Sequence, residues 1–314
     1  MTIIIINNIN SEIVIINKKM KNSILCLLTL LMCNTSCSDK SHSSNDNESL
    51  SKEESILGLQ KPGINPRLFA PGIVSTDDLE LEPAFAPNMK EFYFLRQSKG
   101  QESKNFVIKY DDGEWSEPVE RSTSEGEVFI SVDNKTMHLG NKYKERSASG
   151  WSEEKSLGEL FEKFSIMRLT ASSSSTYVFD ERDSIGTIRY SRIINGRRED
   201  PKPFGKQINT GQFLSHPFIA PDESYLIWDS EREDGYGGSD LYISFRQEDG
   251  SWGPSINMGN KINTDIDDFY GSVTSDGRYF YFSRVKLGES FEESHANIFW
   301  VDAQIIMNLK KTIK

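Results

Sequence analysis

Beyond residue 37 the chain contains no cysteine: Cys26, Cys33 and Cys37 all lie near the start of its 314 residues. The remainder therefore has no disulfide framework, no cysteine-ligated zinc and no cysteine nucleophile. Histidine is scarce too, and His42, His138, His216 and His295 show no metal-ligand spacing. No metal and no cofactor is expected. Positive charge is in deficit, with Lys+Arg 36 against Asp+Glu 47 and a net charge of -11. Nucleic-acid binding draws its affinity from clustered Lys and Arg that displace counterions, so nucleic acid is set aside as a partner. Long hydrophobic runs are missing as well. The main apolar run, residues 24–32, is far short of the roughly 20 residues a membrane-spanning helix needs.

That short run has a recognisable setting. Residues 18–37 read KKMKNSILCLLTLLMCNTSC, with Lys18, Lys19 and Lys21 ahead of the apolar stretch and polar residues after it. This is the order of a secretory signal, here assigned to residues 1–37. Met20 reads as the natural start, which leaves residues 1–19 as an over-extended beginning to be kept out of the fold. Cys37 follows the small residues Thr35 and Ser36, and the segment resembles a bacterial lipoprotein signal. The resemblance implies lipidation at Cys37, with Cys33 as the other candidate, and export to the cell envelope with a lipid anchor as the sole membrane attachment. The alternative is an ordinary signal peptide that releases a soluble periplasmic protein. Residues 38–56, rich in Ser, Asn, Asp and Glu, form a polar tether.

Residues 57–306 carry an internal repeat. Its cores are PAFAPNMKEFYF (83–94), VFISVDNKTMHL (128–139), RLTASSSSTYVF (168–179), PFIAPDESYLIW (217–228) and GSVTSDGRYFYF (271–282). Most cores alternate apolar residues, turn at a polar step such as Pro221-Asp222-Glu223, and resume with β-formers, the pattern of a hairpin. Third strands follow in NFVIKY (105–110), TIRYSR (187–192), DLYISF (240–245) and NIFWVD (297–302). Turns such as DDGEWSEPV and EDGSWGPSINM announce a fourth. Four-stranded antiparallel units of roughly 40–50 residues predict an all-β propeller, because each blade buries its faces only against its neighbours. Five blades are expected, and six if the spacer 157–166 hides a degenerate one. The last unit lacks its outermost strand, which residues near 67–74 can supply, closing the ring. Residues 307–314 read as a basic C-terminal tail.

Segments PFIAPDESYLIWDSER, GGSDLYISF and GSWGPSINMGNKINT resemble the TolB-type, WD-like propeller repeats of bacterial envelope proteins. The resemblance implies an interaction module of the cell envelope and no particular reaction.

Residue types that recur in every copy are explained by blade geometry, so singular residues are better site candidates. Asn88, Asp133, Asp222 and Asp276 share one turn register and read as turn formers. Trp115, Trp151 and Trp252 belong to the fourth-strand turns, and Asp240 is a candidate for an Arg–carboxylate clasp between strands. EREDGYGGSD (231–240) has no EF-hand spacing and reads as a glycine-rich connection, with a calcium loop as the lesser alternative. The residues entering each innermost strand line the channel mouth. Those just before the cores are Glu82, Glu127, Met167, His216 and Tyr270, and three positions before come Glu80, Glu125 and Asp268. Such a set of carboxylates with one imidazole suits a cationic or polyhydroxylated ligand. The expectation is a monomeric, non-enzymatic binding module for an envelope protein or glycan. The alternative is a carbohydrate-active lyase or hydrolase in which Glu82, Glu127 or His216 moves the proton.

Cys37→Ala is expected to move the protein from the membrane to the soluble fraction and to abolish incorporation of labelled fatty acid, both read by fractionating cells.

Overall fold

The computed structural model describes residues 2–7, 12–17, 55–56, 58–121, 126–183, 185–288, 290 and 293–312. Cys37, Glu125 and most of the leader and tether lie outside them. Within them the repeat folds as antiparallel sheets, each running from an inner to an outer strand. The first unit is Leu79–Phe85, Glu91–Gln97, Lys104–Asp111 and Val119–Arg121. The second is Val128–Ile130, Thr136–Leu139, Lys142–Ser147 and Lys155–Ser156. Ile166–Ala171, Tyr177–Glu181, Thr187–Ser191 and Lys202–Pro203 make the third. Gln212–Ile219, Tyr225–Glu231, Ser239–Phe245 and Ile256–Asn257 make the fourth. In the fifth, Asp267–Val273, Tyr279–Lys286 and His295–Asp302 are completed by Arg67–Leu68, whose register sets Leu68 against Phe299 and Arg67 against Trp300.

Each unit's inner strand touches the next unit, and the fifth touches the first, so the chain closes into a ring. The fold is a β-propeller. Its core is divided among the gaps between sheets. Val128, Ile130 and Met137 pack on Ala84 and Tyr93. Val178 and Ile188 meet Leu226 and Trp228, and Ile227 and Leu241 meet Phe280 and Phe282. Aromatic rings fill the closing gap, where Phe69 stands edge-on to Phe85 at 5.2 Å and to Trp300 at 5.5 Å.

The turn aspartates behave alike: Asn88, Asp133, Asp222 and Asp276 each accept a hydrogen bond from the backbone N–H two residues on, at 2.9–3.0 Å. The turn tryptophans pack on blade faces, and Trp151 Nε1 donates to the Tyr93 hydroxyl at 3.1 Å.

Thr2–Asn7 pairs with Glu12–Asn17 as a hairpin apart from the propeller sheets, as their runs of β-branched Ile and Val favour. Two sequence expectations are corrected. The expected tail is instead helical over Gln304–Lys311, because Ile305 and Ile306 bury against the fourth and fifth units. Among the described residues Asp240 takes no arginine. It accepts from Tyr236 N–H, Gly237 N–H and Asn257 Nδ2, while Arg232 lies over the Tyr242 ring at 3.9 Å. The spacer at 157–166 contains a short helix, Glu159–Glu162.

Trp300 is 2% exposed in the closing gap. Trp300→Ala should cost about 3–5 kcal/mol, the range for emptying a large aromatic site. A lower guanidinium midpoint with an unchanged slope checks this.

Candidate functional site

The inner strands share an irregularity that builds the site. In the first, third, fourth and fifth units two inner residues oppose one on the second strand: Glu82-Pro83 opposite Phe94, Met167-Arg168 opposite Asp180, His216-Pro217 opposite Trp228 and Tyr270-Gly271 opposite Phe282. These are β-bulges, and in three of them the leading residue has left-handed backbone, with φ of 56° at Glu82, 49° at His216 and 60° at Tyr270. Glycine is the residue that takes this conformation freely. For Glu, His and Tyr it costs about 1–3 kcal/mol each. Proline at Pro83 and Pro217 suits the bulge, since it has no N–H to leave unpaired.

The turned-in side chains meet residues of the other units at one buried hub. His216 of the fourth unit lies 3.3 Å through Nε2 from Glu127 Oε1 of the second. Arg168 of the third donates through Nη2 to Ser272 Oγ of the fifth at 2.6 Å. Both contacts join units that are not neighbours in the ring, so they cross at its centre. Tyr270 covers the imidazole, with ring centroids 3.7 Å apart. Two aspartates at equivalent positions near the ends of the second strands hold the bulges. Asp180 accepts from the N–H groups of Met167 and Arg168 in its own unit and of His216 in the next. Asp229 accepts from the Tyr270 N–H of the next unit at 3.2 Å, and His216 Nδ1 donates to it at 2.9 Å.

Burial and mutual fields set the charge states. Burial alone would lower the His216 pKa, but the carboxylates of Asp229 and Glu127 outweigh it and hold the imidazolium up to about 10. Glu82 is pushed up to about 8, first by burial and then by the Glu127 charge. Glu127 falls below the usual range despite its burial, drawn down by His216 and then by Arg168. Asp180 rises to about 6, through burial first and Glu127 second. At neutral pH the hub thus holds the His216 imidazolium beside the Glu127 carboxylate and a protonated Glu82, while burial pushes the Asp229 carboxyl up and the His216 charge opposes it.

Of the sequence candidates, Glu82, Glu127, His216 and Tyr270 converge here. Glu80 and Asp268 do not, which corrects their placement at the channel mouth. Glu80 pairs with Arg96 Nε at 3.0 Å, and Asp268 with Arg284 Nε at 2.7 Å. Thr76 and Thr264 bind these carboxylates through backbone and hydroxyl alike, and Arg96 and Arg284 reach on to the carbonyls of Ile73 and Ile262 in the preceding turns. The same clasp twice over is scaffold. Strand alternation would put positions one and three before the core on one face, and the left-handed backbone at the position just before the core, Glu82 and Tyr270, breaks that phase. Arg168, Asp180 and Asp229 were missed by the sequence reading. Their signals were there: an arginine where the other cores open with Pro, Val or Gly, and an aspartate directly after the apolar residues YVF and YLIW.

Two surface cavities, of about 600 Å³ beside Phe164 and Lys163 and about 220 Å³ between Tyr190 and Trp252, are lined by none of the hub residues. Among the described residues no group of three or more His, Asp or Glu side chains is placed to hold a metal ion, and no helix is long and apolar enough to cross a membrane.

No family model and no curated protein matches the sequence. Among solved structures the chain is similar to TolB from Acinetobacter baumannii, at 12% identity over 74% of this chain and 59% of that one, with a TM-score of 0.45. It is similar also to a putative TolB from Agrobacterium tumefaciens, at 16% identity, 72% and 78% coverage and a TM-score of 0.42. A gluconolactonase from Xanthomonas campestris gives 8%, 76% and 95%, with a TM-score of 0.44. These likenesses concern fold alone.

The shifted groups give a signed pH dependence. A raised folded-state pKa contributes stability that is complete below the unfolded value and lost as pH climbs through the folded one. Glu82 loses its share between pH 4.5 and about 8, and His216 between 6.5 and about 10. Stability should therefore fall with rising pH, by up to about 1.4 kcal/mol per pH unit for each group. Glu82→Gln should flatten the lower window and His216→Gln the upper one, as read from urea midpoints across pH.

Proposed function

We propose that the protein is an exported, lipid-anchored component of the cell envelope. In this reading five blades form a binding module that takes a protein or glycan partner at the axial end around Glu82, Glu127, His216 and Tyr270. One observation carries it: side chains able to charge or hydrogen-bond come from every unit to one point, three of them from strained backbone. A packed apolar axis would serve the scaffold at least as well, because replacing buried ion pairs with hydrophobic side chains is often neutral or stabilising. Strain and shifted pKa values concentrated together mark functional sites.

The arrangement Asp229–His216–Glu127 favours a second reading, in which the hub performs acid–base chemistry on a polysaccharide. A carboxylate that fixes one imidazole nitrogen while the other faces the centre is a means of orienting a proton carrier.

Tagged full-length protein, wild type and Glu127→Gln, should be used to recover partners from envelope membranes and to probe a glycan array. A defined partner or glycan bound by the wild type and weakened about ten-fold or more in Glu127→Gln supports the binding module, since a charge-assisted contact accounts for that much. Release of new reducing ends or unsaturated sugars by the wild type, abolished in His216→Gln, would move the assignment to the enzyme. Capture unaffected by Glu127→Gln would place recognition away from the hub.

A further inference from the structure

Hydrogen-bonding capacity at the hub is unevenly spent. Arg168 is 1% exposed. Its guanidinium makes one hydrogen bond, to Ser272, and Nη1 stops 3.8 Å short of Glu127 Oε2. Its Nε and Nη1, the Nε of Arg182, whose charge acts on both Glu82 and Glu127, and Glu127 Oε2 find no hydrogen-bond partner among the described residues. Three donor nitrogens without a hydrogen bond thus stand against one such carboxylate oxygen, which Arg168 Nη1 meets only as a 3.8 Å ion pair, and Glu82, pushed up to about 8 by burial, adds an O–H donor. Leaving buried donors of a charged group unmade costs more than leaving neutral ones.

Resting on the hub as the ligand site, we propose that its ligand carries a small oxyanion, a carboxylate or a phosphate, received by Arg168, with a neighbouring hydroxyl that donates to Glu127. A planar guanidinium matches such an oxyanion better than a neutral hydroxyl, because charge-assisted bonds are shorter and roughly twice as strong. The His216 imidazolium, held between Asp229 and Glu127, adds a positive charge at the same point. A neutral sugar would satisfy Glu127 and leave the guanidinium donors unmatched. The ligand chemistry is thus narrower than the polyhydroxylated class suggested by the carboxylates at the channel mouth.

The test uses the full-length protein in calorimetric titration with four probes: glycerate, its neutral amide glyceramide, glycerol and inorganic phosphate. Saturable binding of glycerate or phosphate, with glyceramide and glycerol at least about ten-fold weaker, is expected from the loss of charge-assisted bonds. The glycerate and phosphate arms distinguish the two oxyanions. Arg168→Lys should lower glycerate or phosphate affinity by a similar factor, whereas Arg189→Lys, on the outer part of the third unit, should not. The comparison of glycerate with glyceramide needs no variant, so a folding defect in Arg168→Lys leaves the proposal decidable. Equal binding of glyceramide and glycerate would overturn the oxyanion while leaving the hub as a polyol site. Binding of none of the four would overturn the oxyanion, and the hub itself is judged separately by the Glu127→Gln capture experiment.

Discussion

The ring is organised around the ion pair that joins His216 to Glu127 across its centre. Neighbouring blades are held by apolar layers, and those layers act only pairwise around the circumference. The hub adds ties between units that never touch along the rim, so a shift of one inner strand is resisted by its opposite. This rigidity needs full compensation of charge: an unpaired buried ion costs several kcal/mol, so each hub group depends on the others remaining in place. Asp180 and Asp229 extend the dependence to the backbone. Each carboxylate holds its own unit and the bulge of the next. Left-handed backbone at Glu82, His216 and Tyr270 persists because its surroundings over-determine it.

The hub also separates two uses of the same residue types. Glu80 and Asp268 are as buried as Glu127, and each is saturated by one arginine and one threonine. Their pairs fasten strands and leave nothing over. At the hub, by contrast, donors exceed acceptors and the carboxylates differ in protonation. The chemical difference lies in the unspent capacity, because burial and charge alone are shared by both sets.

Much of the architecture was legible in the sequence because a propeller repeats its instructions. The turn carboxylates, the strand pairs and the tryptophan turns recur at fixed offsets, so one ambiguous copy is read by comparison with the others. The same comparison exposed Glu82, Glu127, His216 and Tyr270, which depart from one another at a position where scaffold would be uniform. Glu80 and Asp268 were misassigned because side-chain alternation assumes extended backbone, and a left-handed φ is invisible in residue letters. Arg168 was passed over because it lies inside a strand core, where its reach to Ser272, 104 positions on, depends on ring closure. The helix at Gln304–Lys311 escaped notice because its lysines suggested solvent while Ile305 and Ile306 found a tertiary surface.

Closure by Arg67–Leu68 has a geometric consequence for whatever is attached to the ring. The incoming chain runs beside the outgoing one, and Asp302 N–H donates to the Gly63 carbonyl at 2.8 Å. Entry and exit therefore share one corner of the propeller. On the outgoing side the chain turns at once into the helix Gln304–Lys311, which lays Lys310 over the Phe245 ring of the fourth unit.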